Sequence, residues 1–325
     1  MSSRSARGGC ARGERAERGI ALLTAIILVA IAAVLATAIG FASAMSAHRA
    51  STVFGADQSM LVAEGAEAMA AYVLEQSGPN AGQVSLNQPW AQSYGPFELL
   101  PGVTLEHLQL EDEQSKFNIN NLAAAAGGNS NTAEITQFQQ LLGLLGLESK
   151  WAPLAADWID SDDTPNFPDG AEDSVYLSQM PPYHTANLPV TSISELLALP
   201  GFGRNRYNRL APYITALPPG TQINVCTASG VVLDAISGKV EYSNNEQQLQ
   251  LQRQQQGCFP TISVFQASLS NAQQSQGAVN LSQVTSYFRL RTIITIGTAR
   301  FSLYSLLQRD GAGQIHVVLR TFGTE

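Results

Sequence analysis

The sequence predicts an α+β protein: a long N-terminal helix, embedded in a membrane at its start, carries a small antiparallel sheet interrupted by a large, mostly α-helical insertion. Three observations predict it. An uncharged apolar run, IALLTAIILVAIAAVLATAI, extends from Ile20 to Ile39. β-Branched and aromatic runs lie on both sides of the later chain, at 96–110 and 287–320. The stretch between them, 111–278, reads as helices and loops, not as alternating strands.

The apolar run holds about 20 residues, roughly 30 Å of helix at 1.5 Å per residue, which matches a bilayer's hydrocarbon core. Thr24 and Thr37 are its polar interruptions. The preceding segment, 1–19, holds five Arg, two Glu and Cys10, a basic flank that stays cytoplasmic. A secretory signal places its small-residue cleavage site after the apolar run. Here the small residue, Gly19, precedes it. Cutting between Gly19 and Ile20 would remove a charged leader and leave the apolar helix as the new N-terminus. This is the layout of a type IV pilin-like precursor.

No proline interrupts the chain from Ile20 to Ser77. Met60, Leu61, Ala68, Tyr72 and Val73 recur at helical spacing with Glu64 and Glu67 between them, so one helix is expected to about Gln76, amphipathic towards its end. Gly78-Pro79 stops it. The segment 78–110 then begins the head, with Val103, Leu105, Leu108 and Leu110 as core residues of a strand. Its partners are YFRLRTIITI, ARFSLYSLLQ and QIHVVLR within 279–325, joined by turns at Gly297 and at Asp310-Gly311-Ala312-Gly313. The insertion, 111–278, is expected to hold helices near 132–147, 152–159, 192–198, 204–213, 230–237 and 262–268. The Gln-rich run 244–256 reads as a low-complexity surface loop.

Lys and Arg total 18 against 26 Asp and Glu, a net charge of −8. Removing five Arg and two Glu with the leader leaves 13 basic and 24 acidic residues, a net of −11. That balance argues against nucleic acid as a partner. Beyond Cys10, the even pair Cys226 and Cys258 invites a disulfide in an oxidising compartment, and two buried free thiols are the other reading. Bonded, they would close a loop of about 32 residues, worth roughly 3–4 kcal/mol in the chain-entropy model.

The densest chemical signal is DWIDSDDTPNFPDGAED, Asp157 to Asp173, with seven carboxylates in 17 residues. Carboxylates so crowded raise one another's pKa unless a cation neutralises them. Oxygen ligands on an irregular loop suit Ca²⁺ better than Mg²⁺. The spacing is not that of an EF-hand: counted from Asp160, the glycine position is Pro165 and the twelfth is Ala171. A solvated acidic loop is the bland alternative, against which Trp158, Ile159 and Phe167 stand as apolar neighbours.

Two further motifs need weighing. Asp160 to Thr164 matches the D-x-D-x-T nucleophile motif of haloacid-dehalogenase-type phosphatases, which requires a preceding apolar strand where this sequence reads as helix and loop. Leu199 to Gly203, followed by Arg204, Arg206 and Arg209, resembles the turn of a helix-hairpin-helix DNA-binding unit, and INVCTA at 223–228 strengthens the look. In so acidic a chain a shared helix-hairpin-helix-like (or SAM-like) fold is the better reading. His48, His107, His184 and His316 are dispersed and form no catalytic spacing.

Taken together, the N-terminal RGIALLTAIILVAIAAVLA, LVAEGAEAMAAYVL, KFNINNL, DWIDSDDTPNFPDGAEDSVY, LPGFGRNRYNRLAPYITALP, INVCTA and YFRLRTIITIGTARFSLYSLLQRDG resemble protein K of the type II (general) secretion pathway, a family of minor pseudopilins. The resemblance implies a pilin-like head with a large helical insertion and no enzymatic activity. It implies a single-pass inner-membrane protein with a periplasmic head, cut after Gly19 and methylated on Ile20 by prepilin peptidase. Most pseudopilins carry Phe at the first mature position, where this chain has Ile20. Most carry Glu at the fifth, which family K members lack; here it is Thr24. A Glu there is costly in the bilayer unless it meets a neighbour's terminal amine. A subunit without it needs no neighbour above, which fits the tip of a pseudopilus initiated with minor pseudopilins I and J, and with H. The family's acidic segment binds calcium, which points to Asp160, Asp162, Asp163, Glu172 and Asp173 as ligands. The competing functions are a membrane-anchored, metal-dependent hydrolase using the acidic loop and a helix-hairpin-helix DNA-uptake protein.

Overall fold

The computed structural model describes residues 13–77, 82–123, 131–269 and 280–323. The expected helix stop at Gly78-Pro79 lies outside them. The chain divides into two units, Met1–Leu61 and Val62–Glu325. In the first, helix α1 (Gly13–Gln76) carries the apolar run, and Ile20–Gln76 is long and apolar enough to cross a membrane. The hydroxyls of Thr24 and Thr37 donate to the carbonyls of Ala21 (3.0 Å) and Val34 (2.8 Å). The helix thereby satisfies its own polar interruptions, as a lipid environment requires.

The second unit contains a five-stranded antiparallel sheet of order β1-β2-β7-β8-β9. Its strands are β1 (Phe97–Leu100), β2 (Val103–Asp112), β7 (Tyr287–Ile296), β8 (Ala299–Arg309) and β9 (Ile315–Phe322). Two short parallel pairs, β3 (Phe117–Asn118) with β4 (Ile214–Thr215) and β5 (Ile223–Asn224) with β6 (Leu281–Ser282), lie within the chain between β2 and β7. Strand β2 runs two residues past 110. Val103, Leu105, Leu108 and Leu110 are all buried, although 105 and 108 differ in parity. An irregularity between Leu105 and His107 accounts for this, because one extra residue resets which face each side chain takes.

The buried face of the end of α1 is not the expected one. Ala68 and Tyr72 are exposed, and Ala63, Ala66, Ala70 and Leu74 join the core with Trp90, Phe288, Leu290 and Leu303. Alanines let the helix approach the sheet closely. Glu67 lies on that same buried face, where Arg320 grips it bidentately (2.6 and 2.8 Å at the closest) and the Ser305 hydroxyl donates to it. A charge-paired Glu can be buried where a lone one cannot.

The insertion has a core of its own, including Phe117, Phe138, Trp151, Tyr176, Leu233 and Phe265. Its helices are α2 (Thr132–Leu144), α3 (Trp151–Ile159), α4 (Asp173–Tyr176), α5 (Gly203–Leu210), α6 (Gly230–Ser237), α7 (Glu246–Gln256) and α8 (Ile262–Ser268). Residues 193–198 form a 3-10 helix. The asparagines of KFNINNL are buried and hold the backbone at Val190 and just after β4. Asn120 donates to the carbonyls of Val190 (2.9 Å) and Leu217 (2.8 Å) and accepts from Val190 N–H, and Asn121 accepts from Gly220 N–H.

Helix α7 corrects the expectation of a loop at 244–256. Gln tolerates helix well, and Leu249 and Arg253, four apart, bury one face. The Arg253 guanidinium donates to the carbonyls of Ala228 (2.6 Å), Phe259 (2.8 Å) and Val225 (3.1 Å). Cys226 and Cys258 are joined in a disulfide just beyond the helix. Asn87 Nδ2 donates to the α7 carbonyls of Arg253 (2.7 Å) and Gln254 (3.2 Å). Asn87→Ala is expected to cost about 1 kcal/mol by removing its two bonds to those C-terminal carbonyls, of which Arg253 O keeps the Gly257 N–H, read as a lower urea midpoint at unchanged slope.

Candidate metal centre

The acidic segment begins on the last turn of α3 and ends at the first residue of α4. Asp157, on α3, is fully buried and faces the loop that follows. Its carboxylate accepts from Asn166 N–H (3.1 Å to each oxygen), from the Asn166 side-chain amide and from Ala171 N–H (2.7 Å). Gly170 N–H closes the same turn onto Asn166 O at 2.6 Å. Residues 166–171 therefore form a bracket around one buried carboxylate. A β-carbon at Gly170 would overlap the Asn166 backbone and Asp157 Oδ2. Gly170→Ala is expected to destabilise the insertion by about 1–3 kcal/mol, measurable as a lower melting temperature.

Asp160, Asp162 and Glu172 each place a carboxylate oxygen within 4.8 Å of the others. Asp160 and Glu172 are only 2% and 6% exposed. One oxygen of Asp160 and both of Glu172 are buried without a hydrogen-bond partner. Burial, reinforced by Asp162 and Asp157, pushes the Asp160 carboxyl up to about 7. Burial and the charges of Asp157, Asp160, Asp163 and Asp162 push Glu172 up to about 8. Buried acceptors with raised pKa values and no donors fit a hard cation. Trp158, Tyr176 and Tyr183 pack ring on ring nearby, with centroids 5.1–6.3 Å apart.

The other two predicted ligands are engaged elsewhere. Asp163 accepts from Asn187 Nδ2 at 3.0 Å, and Asn187 sits in the left-handed region at φ 47°. Asp173 accepts from Thr185 N–H and hydroxyl (2.9 Å each) and pairs with His184 Nδ1 at 2.7 Å, which holds its carboxyl below the usual range. These two carboxylates fasten the 184–187 segment to the loop. The reading of the sequence missed the roles of Asp157 and Asn166. A buried acid nine residues before an Asn and thirteen before a Gly is a faint signal, visible only once the turn is closed.

The decoy motifs find structural homes. Asp160 to Thr164 follows a helix, not a strand. In the hairpin-like turn, Arg206 pairs with Glu148 (2.6 Å), lies over the Trp151 ring and donates to Gly201 and Phe202 carbonyls, and Arg209 donates to Leu145 O. These arginines bind the protein's own α2–α3 corner.

A long apolar helix, a five-stranded antiparallel sheet and a helical insertion bearing an acidic loop define a pilin-like subunit with an enlarged head. The family model for type II secretion system protein K matches residues 115–219. Type II secretion system protein K of Pseudomonas aeruginosa is 29% identical over 95% of this chain and 94% of its own. The Klebsiella pneumoniae protein of that name is 32% identical over 94% of each. A solved chain, from the crystal structure of the GspK–GspI–GspJ complex of enterotoxigenic Escherichia coli, superposes with a TM-score of 0.74 at 27% identity, covering 85% of this chain and 100% of that one. The chain belongs to the type II secretion system protein K family and is a minor pseudopilin.

Proposed function

We propose that this chain caps and helps to initiate the periplasmic pseudopilus, in complex with minor pseudopilins I and J and next to H. The observation that carries the reading is Thr24, the fifth residue after Gly19. Its hydroxyl is satisfied inside α1 by Ala21, and the apolar run 20–39 holds no acid that would call for a neighbour's amine above it. The solved relative with GspI and GspJ supports the choice of partners. In this reading prepilin peptidase cuts between Gly19 and Ile20. The apolar helix then spans the inner membrane once, with the head in the periplasm, and the insertion blocks further addition at the tip. The role is assembly, not catalysis.

N-terminal sequencing of the membrane-bound protein tests the processing and should begin at Ile20. Co-purification with I and J tests the partnership. A chain that still begins at Met1, or remains a monodisperse monomer beside both partners, would count against the reading.

The acidic centre holds structural calcium in this proposal, with Asp160, Asp162 and Glu172 as ligands and Asp163 and Asp173 securing the flank. Its support is the orphaned, buried oxygens of Asp160 and Glu172. Calorimetric titration with Ca²⁺ against an EDTA-treated control is the test, and absence of heat at millimolar Ca²⁺ would sink it.

A further inference from the structure

Asp157 belongs to the acidic segment yet has no capacity left to bind a cation. A carboxylate offers about four lone-pair sites, and those of Asp157 are taken by Asn166 N–H, which is shared between both oxygens, the Asn166 side-chain amide and Ala171 N–H. The three clustered carboxylates lie on both sides of the bracket it closes: Asp160 and Asp162 before Asn166, Glu172 directly after Ala171. The Glu172 side chain makes no hydrogen bond of its own, so its place opposite Asp160 depends on its backbone, which the bracket holds on one side and the α4 turn and Asp173 on the other.

From this geometry, and resting on the calcium reading above, we infer that Asp157 is a positioning residue that sets calcium affinity by holding Glu172 in register with Asp160 and Asp162. Two independent features support it. One oxygen of Asp160 and both oxygens of Glu172 are unpartnered, and both residues are more than nine-tenths buried, so the site is shaped before any ion arrives. Even a β-carbon at Gly170 would overlap Asp157 Oδ2 and the Asn166 backbone, so the bracket closes tightly on the carboxylate. The Asp157 charge also faces both Asp160 and Glu172, adding attraction for a cation without contacting it. Outer partners of this kind change metal affinity by about 10–100-fold when removed.

The test uses the full-length protein in detergent and Ca²⁺ alone as the probe. Asp157→Asn preserves shape but places an NH₂ against backbone N–H donors and removes the charge. Its calcium Kd is expected to rise by about tenfold or more. Its melting temperature in EDTA should fall by a few degrees, because its NH₂ faces backbone N–H donors, so the deciding readout is the Kd of the folded variant. Asn166→Ala, which leaves the Asp157 charge in place but also removes a hydrogen bond to Asp160, should raise Kd by a smaller factor, and it stands as the test should Asp157→Asn fail to fold. Unchanged Kd in the folded variants, with only the EDTA melting temperature lowered, would assign Asp157 a purely structural role and overturn the inference. A wild-type protein that takes up no Ca²⁺ overturns the metal reading itself, and the inference falls with it.

Discussion

Replacing Asp112 by alanine is expected to destabilise the Val62–Glu325 unit by about 3–5 kcal/mol. Asp112 is the last residue of β2, where the chain leaves the sheet for the insertion, and it is fully buried. One oxygen accepts from Gln114 N–H (2.8 Å). The other accepts from Thr227 (2.6 Å), Thr285 (2.7 Å) and Asn224 (3.0 Å). Thr285 lies two residues before β7, where the chain returns, and Asn224 also donates to Val84 O (3.0 Å). One carboxylate thus ties together the exit from the sheet, the return to it and the INVCTA segment. Alanine would leave Gln114 N–H and the Thr285 hydroxyl without an acceptor in a dry site and strip Thr227 and Asn224 of one acceptor each, and Asp112→Asn should still cost about 1–3 kcal/mol because its NH₂ would face donors.

The pH dependence provides a second check. Burial raises the Asp112 carboxyl to about 6, against the pull of its four hydrogen bonds. The folded state therefore binds more protons than the unfolded state between about pH 4 and 6, and the wild type loses stability from this group as pH rises through that window. Alanine carries no such penalty. The difference between wild type and Asp112→Ala should be smallest near pH 7 and grow as pH falls towards 4. Neighbouring Glu113, held low by Lys116 and Arg289 against its burial, is present in both proteins and cancels. Urea unfolding of the two in detergent, followed by tryptophan fluorescence, measures the difference. A cost under about 1 kcal/mol, or one that shrinks in acid, would refute the argument.

What could be read from the residues followed the reach of each signal. Alternation and turn residues gave the strands and hairpins, because Gly297 and the Asp310–Gly313 turn act over two to four residues. The helices 230–237 and 262–268 were equally local. The face of α1 was not, because hydrophobicity favours Tyr72 where close approach to a sheet favours Ala63, Ala66 and Ala70. Helix α7 escaped notice because its anchor is an arginine, and buried Arg253 is accommodated only by carbonyls brought from Val225 and Ala228. The acidic loop was visible as composition, and three of its five proposed ligands meet. Composition does not reveal that Asp163 and Asp173 point to Asn187 and to His184 and Thr185, since those partners lie 11–24 residues away.

Withdrawing calcium is expected to lower the melting temperature of the wild-type protein by about 8–16 °C near pH 8, if Ca²⁺ stood at about a thousand times its Kd. That ratio corresponds to roughly 4 kcal/mol, and each kcal/mol moves the melting temperature by about 2–4 °C at this domain size. The sign of the pH effect separates a metal centre from a mere acidic patch. In EDTA, Asp160 and Glu172 have folded pKa values of about 7 and 8, above their unfolded values of 3.8 and 4.5. The folded protein then holds more protons than the unfolded chain across pH 5–8, so the metal-free protein should melt lower as pH rises. With Ca²⁺ the trend should weaken or reverse, because the cation competes with those protons and binds more tightly once they leave. The gap between the two melting curves should therefore widen from pH 5.5 to pH 8. A gap that is absent at both pH values would dismiss the metal, and a gap insensitive to pH would place the ion away from Asp160 and Glu172, whose protons are the ones it must displace.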